Sequence, residues 1–282
     1  MKKGLENTVL RSFFADSYKI KNNMRCMLDK LNCVQYNITK HKQRNLFYKE
    51  VYVMNSIPQK KKKLSLILKI IVIVSAFVGT AISAYGDGTS FMNGVQTFMY
   101  FTTQSNIAIA IICAVGYYKM SQGKDIGNVH YVIKYVGTVA ITLTGVVFCF
   151  VLAPTLGANA WNVHNVLTHV VVPIASIVDF FVVAPGAGIK KKNVFYVIIP
   201  PLVYAIYAGI AYANGWEFSE GYNYPYFFLN WGSPAGAFGF TDELPFMGSA
   251  WWILALFIFL LIVGYCYLTI AEKIDKNNRS SK

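Results

Sequence analysis

The chain has 282 residues, of which 55% are hydrophobic and only 14% are charged, and its mean hydropathy is +0.41. Soluble domains carry about 25% charged residues, so this composition argues against a soluble globular protein and favours one that lies in lipid. The charge is unevenly distributed: residues 1–63 hold 15 Lys and Arg against 4 Asp and Glu, whereas the rest of the chain holds 11 against 9. The first segment therefore carries +11 of the net charge of +13, and the basic character belongs to the tail rather than to the body.

Residues 1–63 are predicted to form a basic cytoplasmic tail. This segment shows no zinc-ligand spacing, no glycine-aromatic RNA-binding pattern and no helix-turn-helix pattern, so its charge does not indicate a nucleic-acid partner. Lys60–Lys63 directly precede the first apolar segment, and lysines beside a membrane contribute roughly 1 kcal/mol each towards anionic lipid. We therefore expect the tail to bind anionic lipid headgroups and no nucleic acid. Met54 lies just before the lysine run and is an alternative start for a shorter six-helix protein.

The cysteines are odd in number and lack a CxxC spacing, so they predict neither a disulfide framework nor a metal site. The five are Cys26, Cys33, Cys113, Cys149 and Cys266. No cofactor is expected. The first apolar run begins near residue 64, which is too far along the chain for a cleaved signal peptide, and the run is also too long for one. We expect it to remain as a helix.

Six apolar runs predict an all-α membrane protein with six transmembrane helices over residues 64–272. Each run is long enough to supply the roughly 20 residues that cross a bilayer. The predicted helices are about 64–85, 93–118, 131–153, 162–183, 194–213 and 250–271, followed by a C-terminal end at 273–282.

The charges of the loops predict the topology. Lys and Arg are concentrated in the tail, in the loops at 119–130 and 185–193, and in the C-terminal end. The loops between them carry either no charge or only acidic residues, namely Asp87, Glu217, Glu220, Asp242 and Glu243. Since cytoplasmic loops carry an excess of Lys and Arg, both termini are predicted to lie in the cytoplasm. The protein is expected to be a multi-pass protein of the cell membrane, in a bacterium the plasma membrane.

The predicted outer loop at 214–249 is long and rich in Gly, Pro and aromatic residues. The aromatic residues include Trp216, Tyr222, Tyr224, Tyr226, Phe227, Phe228 and Trp231. They are typical of an aromatic belt at a membrane interface, but loops longer than about 15 residues are often functional. Two interpretations stay open: an interfacial belt, or a lid over the outer mouth of the helix bundle.

Three charged residues fall inside the predicted helices. Lys69 and Lys134 lie near cytoplasmic ends, where their side chains are able to reach water, and Asp179 lies at a depth similar to that of Lys134. Ionisable residues within a membrane are candidates for function, but a structural ion pair between Lys134 and Asp179 is the interpretation we favour. His164 is expected at the outer interface, in contact with water.

A polar run on the second predicted helix and a histidine on the fourth are candidates for acyl-transfer chemistry. Thr102 lies about nine residues into its helix and His169 about seven, or roughly 13 and 10 Å, so the two share a similar depth. A hydroxyl beside an imidazole is the minimum pair for acyl transfer, because the base takes the hydroxyl proton as the oxygen attacks a carbonyl. Gln104, Ser105 and Asn106 lie in the same run, and the side-chain amides are candidates to donate to the developing oxyanion. In the other interpretation these polar groups join helices through hydrogen bonds.

Three motifs carry a resemblance to a known family: Tyr100–Thr102, His169–Pro173 and Tyr224–Leu229. In this order they resemble motifs of bacterial six-helix membrane proteins of the Pr-six-Pr family, which are similar to the eukaryotic androgen-induced and androgen-dependent membrane proteins. Members of the latter group are threonine hydrolases of fatty-acid esters of hydroxy fatty acids, with one Thr and one His inside the membrane. The resemblance covers about residues 64–272 and implies Thr102 as the nucleophile and His169 as the base.

These observations leave three functions to compare. The first is an intramembrane hydrolase of lipid esters, whose fatty-acid ester substrate enters from the outer leaflet beneath the aromatic loop. The second is a non-enzymatic lipid-binding or sensing protein, in which the same pocket binds without turnover. The third is a small-molecule transporter, which is disfavoured because no charged residue is predicted near the middle of the bilayer and no inverted repeat is evident.

Overall fold

The computed structural model describes residues 35–36, 58–86, 94–124, 126–183 and 189–280, and these residues contain six long helices. The helices are α1 Gln59–Tyr85, α2 Phe101–Ser121, α3 Gly127–Trp161, α4 Val163–Val182, α5 Lys191–Ala213 and α6 Ser249–Ser280. Among the described residues, β-structure is limited to two isolated bridges, Ser219 with Tyr222 and Phe240 with Met247. The predicted all-α class is confirmed.

The chain divides into two units, Met1–Ser56 and Ile57–Lys282, and the six helices belong to the second. The predicted tail falls mainly in the first unit, where only Gln35 and Tyr36 are among the described residues. Four residues that the sequence predictions used, Cys26, Cys33, Met54 and Asp87, also lie outside the described ranges.

Five of the helices, α1 and α3 to α6, are long and apolar enough to cross a membrane, with mean hydropathies between 1.8 and 2.6 in their most apolar windows. These five make the chain compatible with an integral membrane protein. Helix α2, with 21 residues, is also long enough. Its first two turns contain five successive polar residues, Thr102 to Asn106, which lower its mean hydropathy below that of the others. The sixth span therefore remains a prediction.

Most of the helices extend beyond the apolar runs that predicted them, but α2 begins later than expected. It was predicted from about residue 93, whereas Gly94–Met99 form a 3-10 turn and the α-helix begins at Phe101, so Thr102 lies at the start of the helix and not about nine residues into it. Helix α1 begins at Gln59 instead of about residue 64, and α6 continues to Ser280 instead of ending near residue 271. Lys60–Lys63 therefore lie in the first turns of α1. The physical reason is that Lys and Glu are good helix formers, so the end of an apolar run marks the end of the lipid-facing part and not the end of the helix.

Helices α3 and α4 each contain a wider, π-helical turn, at Phe148–Leu152 and Leu167–Val171. In both helices a proline, Pro154 or Pro173, follows at the start of the next α-helical segment. Proline has no N–H group to donate to the carbonyl of the preceding turn, and a wider turn accommodates that loss. Turns of this kind occur frequently at functional sites.

Two glycines allow α4 to approach its neighbours closely. A Cβ atom at Gly79 of α1 would lie 2.6 Å from the Cγ2 of Thr168, and one at Gly145 of α3 would lie 2.9 Å from the carbonyl oxygen of His169. Small residues at such crossings let helix backbones pack closely. The π-helical turn of α4 is therefore held between α1 and α3.

A cluster of buried charges joins the other end of the same three helices. The fully buried Asp179 of α4 accepts from Lys134 of α3 at 2.9 Å, from Lys69 of α1 at 2.7 Å and from Ser65 at 2.5 Å. Lys134 Nζ also lies 3.1 Å from Cys113 Sγ of α2. The predicted Lys134–Asp179 pair is confirmed. The expectation that the Lys69 side chain reaches water is wrong, because Lys69 is buried and its ammonium group is directed at Asp179.

Candidate functional site

A cavity lies between α3, α5 and α6, beside the first turn of α2. The empty space among its lining residues is about 570 Å³, which includes the side that opens to the surroundings. Most of its wall is apolar and includes Leu143, Val147, Leu152, Pro201, Leu256 and Phe257. Its hydroxyl-bearing side chains are Thr102, Thr144, Tyr204 and Tyr226. The cavity thus suits an apolar ligand that carries a polar group near α2.

Thr102 reaches the cavity because α2 begins immediately before it. Tyr100 is extended, with φ −83° and ψ 142°, so that Thr102 is the second residue of the helix. The first N–H groups of a helix have no partner within it, and the Thr102 N–H donates to the phenol oxygen of Tyr226 at 3.4 Å. The Thr102 hydroxyl lies 3.4 Å from the same oxygen. Thr102 is therefore a buried hydroxyl at a helix start, in contact with a second hydroxyl.

Tyr226 comes from the segment between α5 and α6 and was not predicted as a site residue. Its ring stacks on Phe228 with centroids 5.1 Å apart and meets the edge of Tyr100 at 5.9 Å. Burial raises the pKa of the Tyr226 phenol, so the phenol keeps its proton at neutral pH. Together with Phe228 and Leu229 it forms one wall of the cavity, whereas Tyr222 of the same loop is largely exposed.

Two supporting residues, Ser105 and Asn106, connect α2 to its neighbours. Ser105 donates to the Thr102 carbonyl at 3.0 Å and shares a hydrogen bond of 2.8 Å with the Thr144 hydroxyl of α3. The fully buried Asn106 donates to the Thr102 carbonyl at 2.8 Å and to the Thr168 carbonyl at 3.2 Å. Its Oδ1 atom has no partner in the described part of the chain. Since both amide hydrogens of Asn106 are engaged, this side chain holds α2 against α4.

Gln104 is placed differently from the other predicted supporting residues. It is exposed, and its side-chain amide donates to the Phe98 carbonyl at 3.2 Å. Like Ser105 and Asn106, it does not line the cavity. In this structure Gln104 therefore ties the start of α2 to the 3-10 turn at Gly94–Met99 that precedes it.

His169 lies within the π-helical turn of α4 and is buried, with 2% of its surface exposed. Its ring stacks on Phe148 at a centroid distance of 3.8 Å, and Phe148 begins the π-helical turn of α3. The Nδ1 atom lies 3.1 Å from the carbonyl oxygen of Asn165 and 3.1 Å from the Thr168 hydroxyl. Because a carbonyl only accepts, a hydrogen bond to Asn165 requires the proton on Nδ1. The lone pair of the neutral ring is then on Nε2, the nitrogen that a general base would use.

The structure brings Thr102 and His169 near the same polar cluster without joining them directly. No hydrogen bond connects the two side chains in the part of the chain that is described, and His169 does not line the cavity. They are linked through Asn106, which bonds to the carbonyls of Thr102 and Thr168. His164 is buried rather than exposed to water as expected, because the first turn of α4 packs against Gly79 of α1.

The sequence predictions missed three hydroxyls of the cavity, those of Thr144, Tyr204 and Tyr226. Tyr226 belongs to the Tyr-Pro-Tyr motif, which could have suggested it, whereas nothing in the local sequence distinguishes Thr144 from the other threonines of α3. Among the described residues, no three His, Cys, Asp or Glu side chains are grouped to hold a metal ion.

No family model, curated protein or solved structure matches this chain.

Proposed function

We propose that this protein is an intramembrane hydrolase of lipid esters, with Thr102 as the nucleophile. The observation that carries the proposal is the Thr102 hydroxyl, which lies on the wall of a cavity that is otherwise mainly apolar. The apolar lining of the cavity matches the chemistry of an acyl chain, and a buried hydroxyl at its wall is a group that an ester carbonyl would meet. The apolar wall thus suits a lipid as the substrate, and the hydroxyl suits hydrolysis of its ester bond.

The membrane placement that we propose has six spans and cytoplasmic termini. Helix α2 is long enough to span and packs between two helices that are apolar enough to do so. Exposed lysines occur where α1 begins, where α2 ends and where α5 begins, at Lys60, Lys124 and Lys190–Lys192. These positions fall at one end of a bundle of successive antiparallel helices, and an excess of lysine favours the cytoplasmic side. At that end the lysines would also meet anionic headgroups.

Entry of the substrate from the membrane is supported by the helices on either side of the cavity. Pro201 and Ala205 of α5 and Leu256 of α6 face the cavity. Val203 of α5 and Ile258 of α6 are at least half exposed, as expected for side chains that contact lipid. An acyl chain would thus pass from the bilayer into the cavity without leaving an apolar environment.

In the reaction that we propose, Thr102 Oγ attacks the ester carbonyl carbon and its proton passes to Nε2 of His169. The alcohol leaves with that proton, which forms an acyl-threonine, and water then releases the fatty acid and restores Thr102. Catalytic hydrogen bonds are often long or poorly aligned before the substrate binds. We propose that a water molecule, or the approach of the two side chains, completes the path to His169.

The proposed membership of the Pr-six-Pr family is supported by a contact between its first and third motifs and by a contact of α2 beside the second. Thr102 of the first motif contacts Tyr226 of the third, and Asn106, which follows the first, binds the Thr168 carbonyl next to the second. Segments more than 50 residues apart along the chain thus lie close together in the structure, although they are not neighbours in the sequence.

Fatty-acid release by the purified protein from a panel of long-chain lipid esters tests this function. Thr102→Ala and His169→Ala are each expected to lower kcat by at least about 10³-fold, as for nucleophile and base in other acyl-transfer enzymes. Thr103→Ala is the matched control, because Thr103 is equally buried and lies beside the nucleophile, and it should keep its activity. Turnover that survives both Thr102→Ala and His169→Ala would overturn the proposal.

A second function, lipid binding without turnover, is favoured by one observation: Thr102 and His169 do not contact each other. In that case a fluorescent fatty-acid ester would bind the wild-type protein and Thr102→Ala with equal affinity, and neither would release product. Saturable binding with no product from any ester would establish this function in place of hydrolysis.

A further inference from the structure

Among the side chains that line the cavity, Tyr226 has its hydroxyl within hydrogen-bond distance of the Thr102 hydroxyl, at 3.4 Å. The other two hydroxyls of the cavity wall are directed elsewhere or at Tyr226 itself: Thr144 bonds to Ser105 at 2.8 Å, and Tyr204 donates to the Met99 carbonyl at 3.2 Å and also interacts with the Tyr226 phenol. The Tyr226 phenol instead lies 3.4 Å from both the N–H and the hydroxyl of Thr102. Tyr226 is therefore the cavity side chain placed to act on the same atoms as the nucleophile.

We infer that Tyr226 is a catalytic residue, which donates its phenolic hydrogen bond to the carbonyl oxygen of the ester as Thr102 attacks. The inference rests on the proposed hydrolysis and adds the group that stabilises the negative charge. When Thr102 Oγ bonds to the carbonyl carbon, the C=O π electrons move to the carbonyl oxygen. That oxygen then lies one bond away from the attacked carbon and within reach of a donor that already touches Thr102.

The position of Tyr226 fits a donor and does not fit a base. Its oxygen accepts from the Thr102 N–H, and acceptance leaves the phenolic hydrogen free to be donated. Burial, which raises the pKa of the phenol, keeps that hydrogen in place at neutral pH. The packing of its ring against Tyr100 and Phe228 fixes its direction, and donors that are fixed in advance stabilise an oxyanion most effectively.

With Tyr226 as the donor to the oxyanion, the side-chain amide of Asn106 is not needed as a donor. Both of its hydrogens are directed at backbone carbonyls, those of Thr102 and Thr168. A donation to the oxyanion would break one of these bonds, whereas the Tyr226 oxygen accepts from the Thr102 N–H and keeps its own hydrogen for the substrate.

Tyr226→Phe tests the inference, because it removes one hydroxyl and keeps the ring. We expect kcat to fall about 10²- to 10³-fold, the effect of losing one oxyanion donor, with KM nearly unchanged. Tyr226→Phe and the wild-type protein should bind an ether analogue of the lipid, which has no carbonyl, with equal affinity. Tyr222→Phe is the control, since Tyr222 is an exposed tyrosine of the same loop, and it should retain full turnover.

The outcomes separate this inference from the proposed function. One outcome overturns the role of Tyr226 alone: the wild-type protein hydrolyses the ester, Thr102→Ala does not, and the kcat of Tyr226→Phe stays within a few-fold of the wild-type value. Absence of turnover in the wild-type protein would overturn both. If Tyr226→Phe is not stably folded, 3-fluorotyrosine at position 226 replaces it as the test. This residue keeps the ring and the hydroxyl but has a more acidic phenol, so kcat should change while KM does not, and an unchanged kcat would overturn the inference.

Discussion

Asp179 is a single carboxylate placed between two lysines from different helices. Lys69 and Lys134 both lie within 3 Å of it, and all three side chains are almost fully buried. Ser65 donates a further hydrogen bond to Asp179, and Lys69 is bonded to Ser65 at 2.6 Å. Buried charges are tolerated when they are paired and hydrogen-bonded. The two ammonium groups depend on the same partner, so the loss of that partner exposes both of them to an apolar interior.

We predict that Asp179→Asn lowers the free energy of unfolding by about 3–5 kcal/mol, the cost of leaving a buried charge without its partner. Denaturant-induced unfolding in detergent micelles measures the change. Glu272→Gln is the control, because Glu272 forms an exposed pair with Lys276 at 3.2 Å, and exposed pairs contribute less than about 1 kcal/mol. An equal effect of the two substitutions would contradict the prediction.

Residue-level contacts were predictable only where depth along a helix decided them. The Lys134–Asp179 pair followed from equal depth. Lys69 was misplaced because the apolar run suggested a start near residue 64, whereas α1 begins at Gln59, so Lys69 lies ten residues into the helix. The contact of Tyr226 with Thr102 could not be predicted, since the path of a long loop has no periodicity from which to infer its position.

At the scale of helices, the arrangement of α4 between α1 and α3 determines where His169 lies. The π-helical turns of α3 and α4 face each other through the stacked rings of Phe148 and His169. Gly145, which is close to the first of these turns, allows the α4 backbone to approach α3 at the level of His169. The position of the imidazole therefore depends on a glycine in the neighbouring helix.

We predict that Gly145→Ala lowers the free energy of unfolding by about 1–3 kcal/mol, the usual cost of inserting a methyl group into a packed interior. The new Cβ would lie 2.9 Å from the His169 carbonyl oxygen and 3.1 Å from Pro173, so the α4 backbone must shift. We also expect ester hydrolysis to fall, since His169 moves with that backbone. Thermal unfolding and the hydrolysis assay measure both effects.

Gly209→Ala provides the control for this prediction. Gly209 also lies inside a helix, but the nearest atom to its added Cβ is Trp231 Cζ2 at 3.9 Å, an ordinary contact. Replacement of a helical glycine by alanine then stabilises by about 0.5–1 kcal/mol. The two glycine substitutions should therefore change stability in opposite directions, and the same sign for both would contradict the packing argument.

The pattern of apolar residues was sufficient to locate all six helices but not their irregularities. Periodicity and length identify a helix, whereas the π-helical turns at Phe148–Leu152 and Leu167–Val171 arise from how two particular helices pack. Pro154 and Pro173 are the sequence signals near these turns. A proline indicates a disturbed helix, but it does not specify whether the helix bends, widens or ends.

For the whole molecule, the distribution of charge along the bundle predicts its orientation in a membrane. The exposed lysines lie where α1 and α5 begin and where α2 ends, whereas the loop between α5 and α6 carries the exposed acidic residues Glu217, Glu220, Asp242 and Glu243. This asymmetry could be read from the sequence alone. The sequence alone does not decide whether α2 crosses the membrane, because the polar residues of its first turns serve the site and reduce its apolar character.

We predict that the two ends of α2 lie on opposite sides of the membrane. In a chain whose five cysteines are replaced by alanine, Tyr85→Cys should react with a membrane-impermeant maleimide added to intact cells. Gln122→Cys should react only after the cells are opened. Both positions are exposed in the structure, so accessibility within the protein does not limit labelling. Labelling of both in intact cells would show that α2 does not span.

The shared carboxylate has a consequence for the order of assembly. The ribosome makes the chain from its N-terminus, so Lys69 on α1 and Lys134 on α3 are synthesised before Asp179 on α4. Until α4 enters the bilayer, neither ammonium group has the carboxylate that neutralises it in the finished protein, and a charged side chain at this depth is costly. Helices α1 and α3 both pack on α4, so their two lysines share a carboxylate only once α4 is in place. The arrival of α4 acts as the event that commits the first half of the protein to its final arrangement.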